Sequence, residues 1–306
     1  MLAAALAAAA GIAAGPAVGQ ATTPPECVAP KVARGDACVA KAQVARDLTA
    51  IVRRTMRAQK QKAVIYSVRV DGRGVVTAAE GESMTGVPAT PAMHWRIGSI
   101  GFALLGTLAL GLQEDGVVDL DVPIARWRPE LPNADRVTLR MLLNGTAGYQ
   151  DYVSDPLFLK ALAAAPFRQF TDEELLAYAF RRRPECAPGR CWNYSHANFV
   201  IAQEVLAQAT GTPFATLMER RVLRPAGLRH TRSSTTPQIP SPILQLVAHP
   251  EPLVLRLRRG DGPPAEQGHS IAVTSTQLPG ADADANVANT VLERVAAYLA
   301  LETPPG

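Results

Sequence analysis

The sequence has few aromatic residues, 5% of its 306 positions, no internal repeat and no large excess of one charge, the formal net charge being +4. The lack of a repeat excludes a solenoid or a propeller, whose stacked units need self-similar sequence. The two short basic runs, Arg181–Arg183 and Arg256–Arg259, are not interleaved with aromatic side chains. Both read as solvated faces, and no nucleic-acid partner is expected. Past residue 21 no apolar run reaches the ~20 residues that a bilayer needs, so no transmembrane span is expected. Histidine is sparse, five residues, and none lies inside either local cysteine pair. Neither cysteine pair has zinc-type spacing either, and neither a metal nor a cofactor is expected.

What is present suits a globular chain: 47% hydrophobic and 19% charged residues are enough for a sizeable core in one large domain or two smaller ones. Met1–Ala21 carries no charge, is dominated by alanine and ends in the small residues Ala17, Gly19 and Ala21. It reads as a signal peptide without the usual basic start, the other reading being a low-complexity tail. The expected destination is the periplasm, the cell envelope or the outside. Four cysteines follow in two local pairs, which in an exported chain predicts the disulfides Cys27–Cys38 and Cys186–Cys191, with free thiols as the alternative.

Along the chain, residues 22–41 read as a proline-rich loop or linker. Gln43 to Lys60 has apolar residues at helical spacing, and Ala63 to Val70 alternates as a strand. Asp71-Gly72-Arg73-Gly74 reads as a hairpin turn into a second strand, Val75 to Ala79, and Gly81 to Pro91 as a loop. Helices are expected from Thr138 as cap, over Thr171 to Arg181, over Asn198 to Thr210 closed by Gly211, and over Phe214 to Val222. Leu253 to Leu257 and Ile271 to Thr276 read as strands, and Ala285 to Leu301 as a closing helix.

Arg96 to Leu112 is the central stretch: a serine follows a turn-forming glycine and opens a helix apolar on every face, which predicts a core position. Ser99 then stands at a helix N-terminus, where unpaired N–H groups and the dipole favour developing negative charge. That suits a nucleophile; the other reading of Ser99 is a helix cap. A base one turn along would share its face. The residue there is Phe102, which takes no proton.

Four segments occur in order. Arg96-Ile-Gly-Ser99, Leu139 to Tyr149, Pro188-Gly189-Arg190-Cys191-Trp192-Asn193-Tyr194-Ser195, and Leu223 to Thr231 resemble four motifs of the serine β-lactamase and penicillin-binding protein family. Those motifs are the nucleophile segment, the Leu-Leu-x-x-Thr-Ser-Gly loop, Pro-Gly-x-x-x-x-Tyr-Ser and Pro-Leu-Gly-Met-x-x-Thr. Within the family the likeness is to class C β-lactamases, D-alanyl-D-alanine carboxypeptidases and related esterases. The resemblance covers Gln43 to about Thr231 plus the last strand and helix. It implies an α+β fold, in which the chain termini build an antiparallel sheet flanked by terminal helices and a large helical insertion spans about 96–231. A single domain over 42–306 is expected, irregular over 236–268. Only Ser233 to Gln267 intervene before the last strand, so the chain is expected to be shortened there relative to the family.

The family's chemistry uses Ser-x-x-Lys, Tyr-x-Asn or Ser-x-Asn, and Lys-Thr-Gly or His-x-Gly. Ser99 matches the nucleophile, and Phe102 stands at the lysine position. Tyr194 matches the tyrosine, a base candidate, and His196 stands at the asparagine position. No Lys-Thr-Gly occurs, and His269-Ser270-Ile271 lacks the glycine. The resemblance implies a secreted, monomeric serine hydrolase acting through an acyl-enzyme on a β-lactam, a D-Ala-D-Ala peptide or an ester. Its ligand would be a small molecule or a peptidoglycan peptide. The departures imply a degraded site with little or no activity, or a non-catalytic cell-envelope binding protein. A tyrosine with a reference pKa of about 10 is a weak base without a cation beside it, and histidine at about 6.5 could serve instead. The ordinary reading of His196 is a hydrogen-bonded loop residue, since i and i+2 positions converge only where the backbone allows it.

Overall fold

The computed structural model describes residues 26–166, 168–234, 236, 238–244, 253–258, 268–277 and 287–300; the expected signal peptide lies outside them. Two strands, β1 (Lys31–Arg34) and β2 (Ala37–Ala40), pair antiparallel with Ala33 opposite Cys38. This corrects the loop expected over 22–41. Val32 and Ala33 are buried in the core of the main sheet, and the Cys27–Cys38 bond ties the hairpin's entry to its second strand.

Helix α1 (Lys41–Ala58) turns Val44, Leu48, Ile51, Val52 and Met56 to one buried side. Strand β3 (Gln61–Val70) follows, then β4 (Arg73–Met84). The turn between them is tighter than the sequence predicts: Asp71 and Gly72 take φ of 48° and 72°, the doubly left-handed turn that matches strand twist. The loop expected over Gly81–Pro91 is also corrected, because β4 runs on to Met84 and pairs with β5 (Val87–Pro88). Buried Ser83 holds this extension by donating to the Ile243 carbonyl at 2.9 Å.

The helical part comprises α2 (Ile100–Glu114), α3 (Leu139–Asn144), α4 (Pro156–Ala164), α5 (Asp172–Ala179), α6 (His196–Thr210) and α7 (Phe214–Met218), which widens into a π-turn over Glu219–Leu223. Thr138 and Thr171 cap α3 and α5 as the sequence predicts, Thr171 within a full capping box. Helix α4, which the sequence pattern did not reveal, starts where Asp155 accepts from the Leu157 and Phe158 N–H groups. Burial on every face of α2 is corrected. Leu105, Leu108, Ala109 and Leu112 are buried, whereas Leu110 is 58% exposed. Only one side of α2 meets the helical core, and an apolar residue needs no partner to remain at a surface.

Strands β6 (Leu253–Arg258) and β7 (Gly268–Gln277) and helix α8 (Val287–Ala300) close the fold. Strand β7 lies beside β3 in antiparallel register, Val70 opposite His269 and Ile65 opposite Thr274, giving the order β5-β4-β3-β7-β6. The sheet is thus built from both ends of the chain. On one face α1 and α8 cover Val64, Tyr66 and Val68, with Val291, Leu292, Val295 and Leu299 supplied by α8. On the other face Ala63 and Ile65 pack with Met93 and Leu244, and from there the chain enters the helical part. No helix of the described residues is long and apolar enough to cross a membrane.

Candidate functional site

Gly98, with φ of 53°, turns the chain into α2 so that Ser99 takes the first helical-type conformation (φ −61°, ψ −12°) ahead of Ile100. Its hydroxyl does not cap the helix. It lies instead 2.8 Å from the Tyr194 hydroxyl, across 95 residues of sequence. The reading of Ser99 as a simple cap is therefore set aside.

Tyr194 is held by a segment zipped against the end of α3. The N–H groups of Glu185, Gly189 and Asn193 donate to the carbonyls of Gly148, Thr146 and Gly145 at 2.8, 2.9 and 2.8 Å. The Asn193 amide donates to the Tyr149 carbonyl at 2.8 Å, and Ser195 Oγ to the Gln150 carbonyl at 3.0 Å. The Cys186–Cys191 bond closes the Pro-Gly turn inside this zip. Gly148 is required there: at φ +81° a Cβ would stand 2.3 Å from the Cys186 carbonyl oxygen.

The zip ends on a contact absent from the sequence reading. Asp151 Oδ1 accepts from the backbone N–H groups of Val153 and His196 at 3.1 and 3.2 Å, and its Oδ2 lies 2.9 Å from His196 Nδ1. His196 is the first residue of α6 rather than a loop residue. Burial pushes the Asp151 carboxyl up, but the hydrogen bond and charge of His196 and the two backbone donors outweigh it and hold the group below the ordinary carboxylate range. Asp151 is therefore an anion, and an anion at Oδ2 can only accept, so Nδ1 of His196 carries a hydrogen. The two rings that the sequence left as converging only by backbone geometry do converge: Tyr194 and His196 meet edge to face, centroids 5.1 Å apart.

Phe102, one turn beyond Ser99, stacks on Phe199 of α6 with centroids 3.5 Å apart and lies 6.1 Å from the Tyr194 ring and 5.7 Å from that of His196. Tyr152 closes the far side of His196 at 5.9 Å, its own hydroxyl pushed up to about 12 by burial and by the neighbouring Asp151 charge. Ser99, Phe102, Tyr194 and His196, all singled out from the sequence, are thus brought together. Asp151, Tyr152 and Phe199 were missed, although Asp151 lies only two residues past the Leu139–Tyr149 motif.

His269, Ser270 and Ile271 lie in β7, whose backbone is paired to β3 on one side and β6 on the other. Beside the entry to α2 is a cavity of about 750 Å³, lined by His94, Trp95, Arg96, Gly98, His230 and Arg232 among other described residues. A larger cleft of about 910 Å³ follows α1, its lining including Arg46, Asp47, Arg53, Arg54, Arg57 and Tyr298. We place no chemistry in it, since α1 covers the opposite face of the sheet from Met93.

An antiparallel sheet from both termini, a helical insertion, and a serine at a helix start in contact with a tyrosine hydroxyl define the β-lactamase/transpeptidase class of α+β fold. The chain belongs to the β-lactamase family, whose model (Beta-lactamase) matches residues 48–296. Among curated relatives it is 27% identical over 247 residues to esterase EstB of Burkholderia gladioli, covering 76% of this chain and 62% of that one. It is 25% identical over 177 residues to the D-alanyl-D-alanine-carboxypeptidase/endopeptidase AmpH of Escherichia coli (strain K12), covering 56% and 45%. The chain therefore spans less than two thirds of either relative. Among solved structures, a D-stereospecific amidohydrolase from Streptomyces sp. superposes with a TM-score of 0.55 at 26% identity, covering 84% of this chain and 72% of that one.

Proposed function

We propose that the chain is an exported serine hydrolase of the β-lactamase family, in which Ser99 forms an acyl-enzyme with a small ester, amide or β-lactam. The observation that carries this reading is the 2.8 Å contact between Ser99 Oγ and Tyr194 Oη. It gives the hydroxyl at the positive end of a helix a direct proton acceptor. Export rests on the character of residues 1–21 and on two disulfides, which persist in oxidising compartments. Turnover is slow in this reading, because a phenyl ring stands where the family has a lysine.

A second reading, a non-catalytic envelope protein that binds peptidoglycan-like peptides in the same cleft, is favoured by one observation. Phe102 is built into a closed stack with Phe199, so the lysine position has become packing. Labelling with a fluorescent penicillin and burst hydrolysis of a short acyl ester separate the two. Covalent label and a burst that vanish in Ser99→Ala are expected; a wild type that takes neither label nor substrate supports the binding protein.

A further inference from the structure

We propose that Asp151 and His196 replace the missing lysine: His196, oriented by Asp151, accepts the phenolic proton of Tyr194 as Tyr194 takes the proton of Ser99. The proposal rests on the serine-hydrolase reading above and assigns the group that takes the proton on from Tyr194. Two hydrogen-bond contacts and one ring contact carry it, running from the nucleophile to a half-buried carboxylate. Ser99 Oγ is 2.8 Å from Tyr194 Oη; the Tyr194 ring meets the His196 ring edge to face; and His196 Nδ1 is 2.9 Å from Asp151 Oδ2. Asp151 is itself fixed by two backbone N–H groups, so the imidazole has little freedom to turn. Because the Nδ1 hydrogen points at the carboxylate, the neutral ring presents Nε2 as its acceptor.

The step balances. As Ser99 Oγ bonds to the acyl carbon, its proton moves to Tyr194 Oη and the phenolic proton of Tyr194 moves to His196 Nε2. The imidazolium so formed faces the Asp151 carboxylate. When the tetrahedral intermediate collapses, the proton returns by the same route to the leaving alkoxide or amine as its bond to the acyl carbon breaks. Water follows the same path in deacylation. Tyr194 remains neutral throughout, which removes the need for a cation to depress its pKa.

Among the described residues, few other charged and titratable groups lie around the ring. Tyr152 of the turn after Asp151 stays protonated, the charge of Asp172 of α5 adds to that, and Arg182 donates to the Asp151 carbonyl at 3.3 Å. From α2 the ring meets only Phe102.

The test is the pH dependence of kcat and KM for a short p-nitrophenyl ester, in wild type, Ser99→Ala, His196→Asn and Asp151→Asn. His196→Asn places the family's residue at the position and keeps a side-chain donor for Asp151, so a merely structural role survives it. Expected are Ser99-dependent turnover and a wild-type rate that falls at acid pH, because protonation of the imidazole removes the acceptor. In His196→Asn kcat should drop about 10²-fold with little change in KM, and the acid limb should disappear. In Asp151→Asn the limb should move to lower pH, since the imidazolium loses its counter-charge. Imidazole added to His196→Gly should restore part of the rate. Wild-type rate and limb in His196→Asn, with Ser99→Ala inactive, would overturn the relay and leave the nucleophile standing. A full rate in Ser99→Ala, or a wild type without turnover, would overturn both. If the variants do not fold, a wild-type profile with no acid limb overturns the relay by itself.

Discussion

The ring of Phe102 lies within 4° of parallel to that of Phe199, with 3.5 Å between their centroids, and this pair ties α2 to α6 at the level of Ser99. Phe102→Leu keeps the apolar bulk but loses the stack, so stability should fall by about 0.5–1.5 kcal/mol in urea unfolding. Phe102→Lys should be less stable still, because it sets an ammonium against aromatic rings. Its kcat on a short ester should not exceed that of wild type. A Phe102→Lys enzyme faster than wild type would mean that the family's own base works in this scaffold.

The Cys186–Cys191 bond closes a loop of sequence separation 5, too short to constrain much of the unfolded chain. Replacing both cysteines by serine should barely move the thermal midpoint. The rate of covalent labelling at Ser99 should fall several-fold, since Tyr194 hangs from the end of that loop. Equal labelling rates would show that the backbone zip alone holds Tyr194.

Gly148 tolerates no side chain. Alanine there meets both the left-handed backbone at φ +81° and the Cys186 carbonyl oxygen 2.3 Å from its Cβ. A loss of about 1–3 kcal/mol is expected for the backbone strain, with more from the contact. Calorimetric midpoints of wild type and Gly148→Ala measure it.

Acid should weaken the fold through Asp151. Its carboxyl is held below the ordinary range in the folded chain, with burial opposing and His196 and the backbone donors prevailing. The unfolded chain therefore binds the proton more readily. The stabilisation is present above the unfolded value of about 3.9 and is lost as pH falls through the folded value. Asp151→Asn should be less stable at neutral pH and should show a flatter midpoint curve below about pH 4. A curve parallel to that of wild type would remove Asp151 from the acid transition.

Removing residues 287–306 deletes Val291, Leu292, Val295 and Leu299, which are buried against α1 and β3. The remaining chain should lose its cooperative thermal transition or aggregate. Circular dichroism melts of the truncated and full chains settle this.

Much of this architecture is legible in sequence because it is written in local signals. Thr138 and Thr171 announce helix starts with their own side chains, and Asp71-Gly72 announces a hairpin. The signals that failed are those whose partner lies far along the chain. Val32 and Ala33 look like loop residues until the sheet core covers them, and Asp151 looks like a turn residue until His196, 45 positions away, closes on it. Leu110 of α2 fails in the opposite sense: its apolarity predicts a neighbour that the helical core does not supply.

The register that sets Val70 opposite His269 governs the order in which the chain can fold as it is made. The helical body, α2 to α7, is complete while β6, β7 and α8 are still to be synthesised, so its core can close early. Strand β3 must wait with one edge unpaired and the face beneath α1 half covered until the last strand and helix arrive. Such late, long-range pairing is slow to form. The β3–β7 pairing is thus the step that joins early and late parts of the chain into one cooperative sheet.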